Sequence, residues 1–295
     1  MKRIGTFAEV RSRSQGKVGL VATMGYLHEG HLALMERARN ECDTVVASVF
    51  VNPLQFGPDD DLASYPRDIE KDAALAASVG VDVLFVPDTE GVYPDHPSVR
   101  LTVEALTLTM EGAQRPGHLE GVALVVAKLL AGLAPDVAYF GRKDAQQLAV
   151  VRRMARDLSF PVAVVGVSIV REQDGLALSS RNIYLDVNER VAALSLSKGL
   201  EDAATLFAAG EREPGVLEAA VAARVDAERL TTLHYAEVAD VNDMVRPSRI
   251  DRDSFLAVAA TVGTTRLIDN CHFLGGTAEL GTRLDRRSTL YEGDR

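Results

Sequence analysis

Short apolar runs alternate with helix-like stretches along the first half of the chain. Valine-rich runs occupy residues 17–22, 44–51, 81–86, 137–140 and 162–167. Stretches with helical spacing of apolar side chains lie between them, at residues 30–40, 67–79, 122–133 and 145–158. Valine-rich runs bounded by glycine, proline or polar residues are typical of buried strands. The alternation therefore predicts the α/β class, with a doubly wound, Rossmann-like parallel sheet.

The pattern changes after about residue 170. Two helical blocks, residues 188–209 and 213–230, precede two alternating apolar runs at 234–238 and 255–262. Strands and helices no longer alternate, which indicates a smaller α+β domain. We therefore expect a first domain over residues 1–170 and a second over 171–276, which would form a lid. Residues 277–295 are mostly polar and charged, and they predict a flexible tail.

Composition narrows the class of protein. The 32 basic and 42 acidic residues give a net charge of −10, which argues against broad binding to nucleic acid or anionic membranes. Cys42 and Cys271 are far apart in the sequence, so neither a disulfide framework nor a metal site is indicated. The sequence contains neither a signal peptide pattern nor an apolar run of membrane-spanning length. These features predict a soluble cytoplasmic protein.

The segment His28-Glu29-Gly30-His31 lies where a predicted strand leads into a predicted helix. Backbone N–H groups at a helix start lack helical partners, and the helix dipole favours an anion there. Two histidines three residues apart could face one phosphate group and carry positive charge near it. Two ordinary histidines at a helix start remain an alternative. A zinc site is disfavoured by the spacing and by the lack of a third nearby ligand.

Other nucleotide-binding motifs are missing from the sequence. It has no G-x-x-x-x-G-K-[ST] loop and no G-x-G-x-x-G after a strand. An H-x-G-H turn resembles that of the α/β superfamily of nucleotidyl-transferring enzymes. That resemblance implies attack on the α-phosphate of a nucleoside triphosphate and release of pyrophosphate.

Two further segments place polar side chains at the carboxyl ends of predicted strands, where open α/β sheets bind ligands. Asn52 and Gln55 could hold hydroxyl and carboxylate groups without charge, although each could also be a satisfied turn amide. Lys143 could reach a triphosphate, and Asp144 could bind a ribose hydroxyl or cap a helix. Residues 174–182 contain Ser-Ser-Arg and resemble the mobile signature loop that clamps β- and γ-phosphates in the same superfamily.

Six segments together identify a closer relationship. The segments TMGYLHEGH, FVNPLQF, RPGHLEGV, YFGRKDAQQ, DGLALSSRN and VGTTRLIDN resemble, in this order, those of the pantothenate synthetase family. The resemblance covers about residues 1–272. It implies condensation of (R)-pantoate with β-alanine through a pantoyl adenylate, with MgATP as the energy source and AMP and pyrophosphate as products. It also implies a homodimer.

The resemblance assigns roles residue by residue. It implies ATP contacts at Met24, His28, Gly30, His31, Gly141, Lys143, Asp144, Val170, Leu178, Ser179, Ser180 and Arg181. It implies substrate contacts at Gln55 and Gln147, with Arg115 and His118 bordering the same pocket. Asn52, at the end of the same strand as Gln55, is also expected to contact substrate. Among these residues, His28, His31, Lys143 and Arg181 would carry the catalysis, with His31 as general acid or charge stabiliser. Asp72 matches an acidic position near the magnesium ion.

Two other functions are compatible with the H-x-G-H turn. A nucleotidyltransferase acting on a phosphorylated substrate would need an anion-binding pocket, whereas the amides of Gln55 and Gln147 favour a single carboxylate with hydroxyl groups. A non-catalytic nucleotide-binding protein would not need His31, Lys143 and Arg181 to be intact. This chain also departs from the family at Tyr26, where a smaller residue is usual.

Overall fold

The computed structural model describes residues 1–57, 62–95 and 97–291. The chain divides into two compact units. The first comprises Met1–Gly141 and Val150–Val167, and the second comprises Arg142–Ala149 and the chain from Ser168 onward. The short segment Arg142–Ala149 was predicted to belong with the first domain.

The first unit is built around a six-stranded parallel sheet. Its strands are β1 (Lys2–Ile4), β2 (Val18–Thr23), β3 (Thr44–Val49), β4 (Val83–Phe85), β5 (Val137–Gly141) and β6 (Ala163–Val167). The helices are α1 (Phe7–Arg13), α2 (Glu29–Glu41), α3 (Ile69–Ser78), α4 (Thr89–Val92), α5 (Met110–Gln114) and α6 (His118–Leu133). Helix α7 (Ala145–Asp157) begins in the second unit and ends in the first. The strand order is β1-β4-β3-β2-β5-β6, which confirms the predicted α/β, Rossmann-like class.

The strand order explains why the chemistry-bearing segments follow β2 and β3. The chain leaves β2 towards β3 on one side, and later places β5 on the other side of β2. In open α/β sheets, ligands bind outside the carboxyl ends of strands at such a switch point. The turn after β2 carries His28 and His31, and the turn after β3 carries Asn52 and Gln55.

The core of the first unit is mainly apolar and includes one buried tyrosine. Val21, Met35 and Leu84 are fully buried between the sheet and its helices. Tyr139 on β5 is also fully buried, and its hydroxyl donates to Glu41 Oε2 at 2.9 Å. Burial raises the pKa of Tyr139, so the hydroxyl stays protonated and continues to donate this bond.

The second unit is α+β, as the sequence indicated. It contains β7 (Val170–Arg171), α8 (Val187–Ala208), α9 (Pro214–Asp226), β8 (Thr231–Asp240), β9 (Ser254–Val262), β10 (Thr265–Leu274), β11 (Thr277–Glu279) and β12 (Thr282–Arg283). An antiparallel sheet has the order β11-β10-β9-β8, and β12 pairs in parallel with β7. The apolar faces of the two helices and the antiparallel sheet supply its core.

The second unit also contains elements that the sequence did not predict. Strand β10 was missed because its sequence, TRLIDNCHFL, mixes charged and amide residues with apolar ones. Residues 277–291, expected to be a flexible tail, instead form β11, β12 and a 3-10 turn at Thr289–Tyr291. Leu290 in this turn is 1% exposed, so the segment has an apolar anchor.

Candidate active site

The H-x-G-H turn is closed by its own two histidines. His28 is the N-cap of α2, and its Nδ1 accepts a hydrogen bond from the Gly30 backbone N–H at 3.2 Å. His31 Nδ1 accepts from the His28 backbone N–H at 3.3 Å. This reciprocal arrangement is a capping box built from imidazoles. The two rings lie 4.1 Å apart between centroids.

The capping bonds fix the tautomer of both histidines. Because Nδ1 of His28 and of His31 accepts a backbone N–H, the proton of each neutral imidazole lies on Nε2. Two Nε2–H donors on adjacent rings at a helix start suit phosphate oxygens. Capping of the helix and binding of phosphate are therefore compatible, because capping uses Nδ1 of each ring and phosphate binding would use Nε2.

A buried carboxylate holds the backbone just before the first histidine. Asp72 on α3 is 1% exposed, and its Oδ2 and Oδ1 accept the backbone N–H groups of Tyr26 at 2.9 Å and Leu27 at 2.6 Å. Gly25 has φ +86°, and a Cβ there would lie 2.9 Å from Asp72 Oδ2 and from Val49 Cγ1. Burial raises the pKa of the Asp72 carboxyl, while the two backbone hydrogen bonds lower it. The turn thus requires glycine at position 25 and an acceptor at position 72.

Asp72 does not fit a magnesium site. Both of its oxygens are engaged by backbone N–H groups, and the side chain is almost fully buried. Over residues 1–57, 62–95 and 97–291, no group of three or more His, Cys, Asp or Glu side chains is arranged to hold a metal ion. A magnesium ion prefers carboxylate and water ligands with several coordination positions open. The structure therefore supports a role for Asp72 in the turn.

The larger side chain at position 26 packs against α3. The backbone of Tyr26 is left-handed, with φ +51°, and Lys71 Nζ lies 5.8 Å from the centroid of its ring. A non-glycine residue in this conformation costs about 1–3 kcal/mol, which the surrounding structure must offset. The hydrogen bonds that the Tyr26 and Leu27 N–H groups donate to Asp72 help to stabilise this conformation.

The amide cluster after β3 is organised around Asn52. This side chain is fully buried, and its Nδ2 donates to Gln55 Oε1 at 3.0 Å and to the Gly121 carbonyl at 3.1 Å. Its Oδ1 accepts from the Leu54 N–H at 3.3 Å and from the Tyr93 hydroxyl at 3.1 Å. Asn52 was predicted to contact substrate; in the structure its side chain makes these four hydrogen bonds within the protein, one of them to Gln55.

Tyr93 is a member of this cluster that the sequence analysis missed. Burial raises its pKa to about 12, so the hydroxyl remains a donor to Asn52 at neutral pH. It lies just beyond the short helix α4, within no recognisable motif. No sequence signal could have singled it out, because its role depends on a contact across 41 positions.

Arg115 and His118 contact the backbone of Gln55. His118 Nδ1 donates to the Gln55 carbonyl at 2.8 Å, which leaves Nε2 as an acceptor for Arg115 Nη1 at 3.1 Å. Helix α6 also approaches closely, since a Cβ at Gly121 would lie 2.1 Å from the Leu54 carbonyl oxygen. The backbone of Gln55 is therefore held from several sides.

In the second unit, β10 holds the turn that carries Lys143. Asn270 is 1% exposed, and its Nδ2 donates to the carbonyl of Arg142 at 2.9 Å and to that of Lys143 at 2.7 Å. His272 Nε2 donates to the Arg142 carbonyl at 3.2 Å. Asp144 ends this 3-10 turn and is exposed. Asn270 and His272 were not singled out from the sequence as positioning residues.

The Ser-Ser-Arg segment also lies in the second unit. Ser179 caps a 3-10 turn, Ser180–Tyr184, by accepting from the Arg181 N–H at 3.3 Å. The carbonyl of Val170, predicted to contact ATP through its backbone, accepts from the Leu178 N–H at 3.0 Å. Leu178 is 2% exposed and so contributes to the packing beneath the segment.

The remaining predicted contact residues are half-buried. Met24 and Gly30 lie on the turn that carries the histidines, Gly141 ends β5, and Gln147 lies in the first turn of α7. The first unit thus contains the turn with the two histidines and the amide cluster around Asn52. The second unit contains the Lys143 turn and the Ser-Ser-Arg segment.

Comparison with known proteins agrees with these features. The family model described as pantoate-beta-alanine ligase matches residues 1–272. A pantothenate synthetase of Roseiflexus sp. (strain RS-1) is 50% identical over 274 residues, covering 92% of this chain and 99% of that protein. Among the described residues, no helix has both the length and the hydropathy to span a bilayer.

Solved structures show the same relationship. The pantothenate synthetase from Thermus thermophilus has a TM-score of 0.87 at 48% identity, covering 92% of this chain and 98% of that one. The pantoate-beta-alanine ligase from Francisella tularensis, complexed with Beta-gamma ATP and Beta-alanine, has a TM-score of 0.76 at 31% identity, with 92% and 97% covered. The chain therefore belongs to the pantoate-beta-alanine ligase family, and it is a ligase that condenses pantoate with β-alanine in an ATP-dependent reaction.

Proposed function

We propose that the adjacent imidazoles of His28 and His31 bind and neutralise the triphosphate while the pantoate carboxylate is adenylated. The observation that carries this proposal is the pair of capping bonds, which places the proton of each neutral ring on Nε2. His28 is 6% exposed and His31 is half-buried, so the rings are partly shielded from water. Electrostatic stabilisation is stronger where water is partly excluded.

The reaction proceeds in two displacements. A pantoate carboxylate oxygen attacks the α-phosphorus of ATP, the bond between that phosphorus and the bridging oxygen breaks, and pyrophosphate leaves. The neutral amine of β-alanine then attacks the carbonyl carbon of pantoyl adenylate, AMP leaves, and the nitrogen loses a proton. The first displacement needs positioning and positive charge around the phosphates more than it needs a covalent nucleophile. Histidine, lysine and arginine side chains meet that need.

We propose that Gln55 binds pantoate through its side-chain amide, together with Gln147. Asn52 donates to Gln55 Oε1, and His118 and Arg115 hold the Gln55 carbonyl, so the side chain is supported at both ends. A neutral amide suits this substrate, because a cation beside the carboxylate would stabilise it and lower its nucleophilicity. This arrangement favours a single carboxylate over a phosphorylated substrate.

We propose that the second-unit residues contact the nucleotide. Asn270 fixes the carbonyls of Arg142 and Lys143, which leaves the Lys143 ammonium to act from a fixed backbone. Asp144 and Gly141 would contact the nucleoside, with Val170 and Leu178 beside it. Ser179, Ser180 and Arg181 would bind the β- and γ-phosphates. Two observations support these roles. The chain belongs to the pantoate-beta-alanine ligase family, and hydrogen bonds fix the backbone of the Lys143 turn and of the Ser-Ser-Arg segment.

Magnesium, in this proposal, enters as part of the substrate MgATP. Divalent ions bridge β- and γ-oxygens in ATP-using enzymes in general. Asp72 is not assigned as its ligand, for the reasons given by its two backbone bonds. We also propose a homodimer and a cytoplasmic location, on the strength of the family relationship. Light scattering of the purified chain would test the homodimer, with a mass near 64 kDa, twice the 31.8 kDa of one chain, as the expected result.

A pair of substitutions at His31 tests the proposed cradle. His31→Ala removes both the cap and the imidazole, whereas His31→Gln keeps an acceptor suited to the third position of a capping box. We expect both variants to lose pantoate-dependent pyrophosphate–ATP exchange by about 100-fold or more. Only His31→Ala should also lose about 1 kcal/mol of stability in a denaturation measurement.

The outcome separates capping from catalysis. His234→Gln serves as a control, because that histidine lies on β8 and bonds to Thr261. Retention of more than a fifth of the exchange rate by the stable His31→Gln variant would show that the imidazole is needed only for capping.

A further inference from the structure

The segment that follows the family match is attached along the strand that leads into the Ser-Ser-Arg segment. We define residues 277–291 as the C-terminal strap. The Thr282 N–H donates to the Ile169 carbonyl at 2.8 Å, and the Leu284 N–H donates to the Arg171 carbonyl at 2.9 Å. These bonds form the parallel pairing of β12 with β7. The match to the family ends at residue 272, so the strap lies outside it.

Side chains reinforce this attachment. Arg171 is 2% exposed, pairs with both oxygens of Asp269 at 2.7 and 3.0 Å, and its Nε donates to the Leu280 carbonyl. Gln173 Nε2 donates to the Asp285 carbonyl at 2.9 Å. The strap therefore forms at least one hydrogen bond with each of Ile169, Arg171 and Gln173.

The end of the strap bonds to Glu172. The Tyr291 hydroxyl donates to Glu172 Oε1 at 2.8 Å and accepts from Arg190 Nη1 at 2.6 Å. Arg190 also donates to both Glu172 oxygens, at 3.0 and 2.8 Å. Burial raises the pKa of Tyr291, which keeps its hydroxyl a donor. Leu290, 1% exposed, anchors the same turn by apolar packing.

Glu172 links the strap to the segment itself. Its Oε1 accepts from Asn182 Nδ2 at 2.8 Å, and Asn182 directly follows Arg181 in the chain. Asn182 Nδ2 also donates to the Ala177 carbonyl at 3.1 Å, and the Glu172 N–H donates to the Leu176 carbonyl at 2.8 Å. One carboxylate thus joins the strap, α8 and the residue next to the proposed phosphate-binding arginine.

We propose that the C-terminal strap is a positioning element for the Ser-Ser-Arg segment, acting through Tyr291, Glu172 and Asn182. It keeps the base of residues 170–182 fixed, so that Ser179, Ser180 and Arg181 are already ordered when ATP binds. Ordering a loop in advance lowers the entropy lost on binding. This inference rests on the proposed contact of that segment with ATP.

Two full-length variants loosen the strap in different ways. Gly281 has φ +95°, and a Cβ there would lie 2.2 Å from the Ile169 carbonyl oxygen, so Gly281→Ala displaces the strap from β7. Gly276→Ala is its matched control, because Gly276 has φ +81° and nothing within 4 Å of a Cβ. Tyr291→Phe is the milder variant, which removes only the hydroxyl that bonds to Glu172 and Arg190.

Pantoate-dependent pyrophosphate–ATP exchange supplies the main measurement. We expect Gly281→Ala to raise the KM for ATP about fivefold or more and Tyr291→Phe to raise it about threefold, with the KM for pantoate unchanged. Gly276→Ala should leave both KM values as in the parent chain. Hydrogen–deuterium exchange of peptides covering residues 176–184 should rise in Gly281→Ala and Tyr291→Phe but not in Gly276→Ala.

Arg181→Ala separates the positioning role of the strap from the proposed contact between Arg181 and ATP. If Arg181→Ala raises the KM for ATP while both strap variants leave it unchanged, the strap has no positioning role. If Arg181→Ala also leaves the KM for ATP unchanged, the phosphate contact itself is wrong. If Gly281→Ala and Tyr291→Phe raise the two KM values equally, the strap only stabilises the fold, which would overturn the proposal. Should Gly281→Ala fail to fold, Tyr291→Phe alone decides the result.

Discussion

Asp72→Asn tests whether a buried carboxylate holds the turn that leads into the two histidines. In the native structure its two oxygens accept the N–H groups of Tyr26 and Leu27 at 2.9 and 2.6 Å. Asparagine has one carbonyl oxygen, so one N–H keeps an acceptor and the other faces the Asn NH₂ group. The substitution therefore removes one hydrogen bond and places two donors in contact.

The expected loss follows from those contacts. A hydrogen bond to a charged acceptor contributes about 1.5–3 kcal/mol, and an unsatisfied buried N–H costs a similar amount. Removing a buried charge, whose desolvation raises the pKa of Asp72, offsets part of this loss. We expect a net decrease of about 2 kcal/mol in the free energy of unfolding, or roughly 4–8 °C in Tm.

The assay combines thermal unfolding with exchange kinetics. Glu70→Gln is the matched control on the same helix, since the Glu70 side chain is 76% exposed and pairs only on the surface with Arg3. That control should change stability by less than about 0.5 kcal/mol. Asp72→Asn should also lower kcat/KM for pantoate-dependent exchange about tenfold or more, because the histidines depend on the turn. The magnesium concentration for half-maximal rate should stay the same.

Two results would contradict the proposed role of Asp72 in the turn. Equal Tm values for Asp72→Asn and Glu70→Gln would show that the two backbone bonds contribute little. A large increase in the magnesium requirement of Asp72→Asn, with Tm unchanged, would show instead that Asp72 is a metal ligand.

Three other predictions concern different parts of the molecule. Tyr93→Phe removes the donor to Asn52 Oδ1, and should raise the KM for pantoate about threefold in steady-state assays while leaving the KM for ATP unchanged. Asn270→Ala removes the bonds to the Arg142 and Lys143 carbonyls, and should raise the KM for ATP about tenfold, whereas an unchanged value would show that the turn is held without it. Burial raises the pKa of the Cys271 thiol from 9.0 to about 12, so at pH 8 its thiolate fraction is about a thousandfold lower than in the unfolded chain. Cys271 is also 0% exposed, so its labelling by a thiol reagent, followed by mass spectrometry, should be far slower at pH 8 in the native chain than in the unfolded chain; rapid labelling of the native chain at pH 8 would contradict the burial.

Strand β1, KRI, has two exposed residues and was not predicted. Strands β2 to β5 could be predicted well from the sequence because they are short, apolar and mostly buried. Such strands give a continuous apolar signal, and glycine or polar residues mark where each ends. The second unit was harder, because β10 carries Asp269, Asn270 and His272 on a buried strand. These polar residues are stabilised by partners far away in the sequence, such as Arg171 and Arg142.

The residues of the candidate site also differ in how far the sequence reveals them. Motif residues such as His28, His31 and Gln55 stand out in the sequence as candidates, because their spacing and their place after strands have a physical meaning. The supporting residues do not, since Tyr93 acts across 41 positions and Tyr291 across 119. Asp72 could be found but not understood, because only the structure shows both oxygens bonded to the backbone of the histidine turn.

The decisive measurement is pyrophosphate–ATP exchange by the 295-residue chain. Adenylation of pantoate is reversible and precedes the use of β-alanine, so labelled pyrophosphate should enter ATP when pantoate is present and β-alanine is omitted. We expect an exchange rate that requires pantoate and falls about 100-fold or more in His31→Gln. A folded chain that binds ATP but shows no pantoate-dependent exchange would contradict the account.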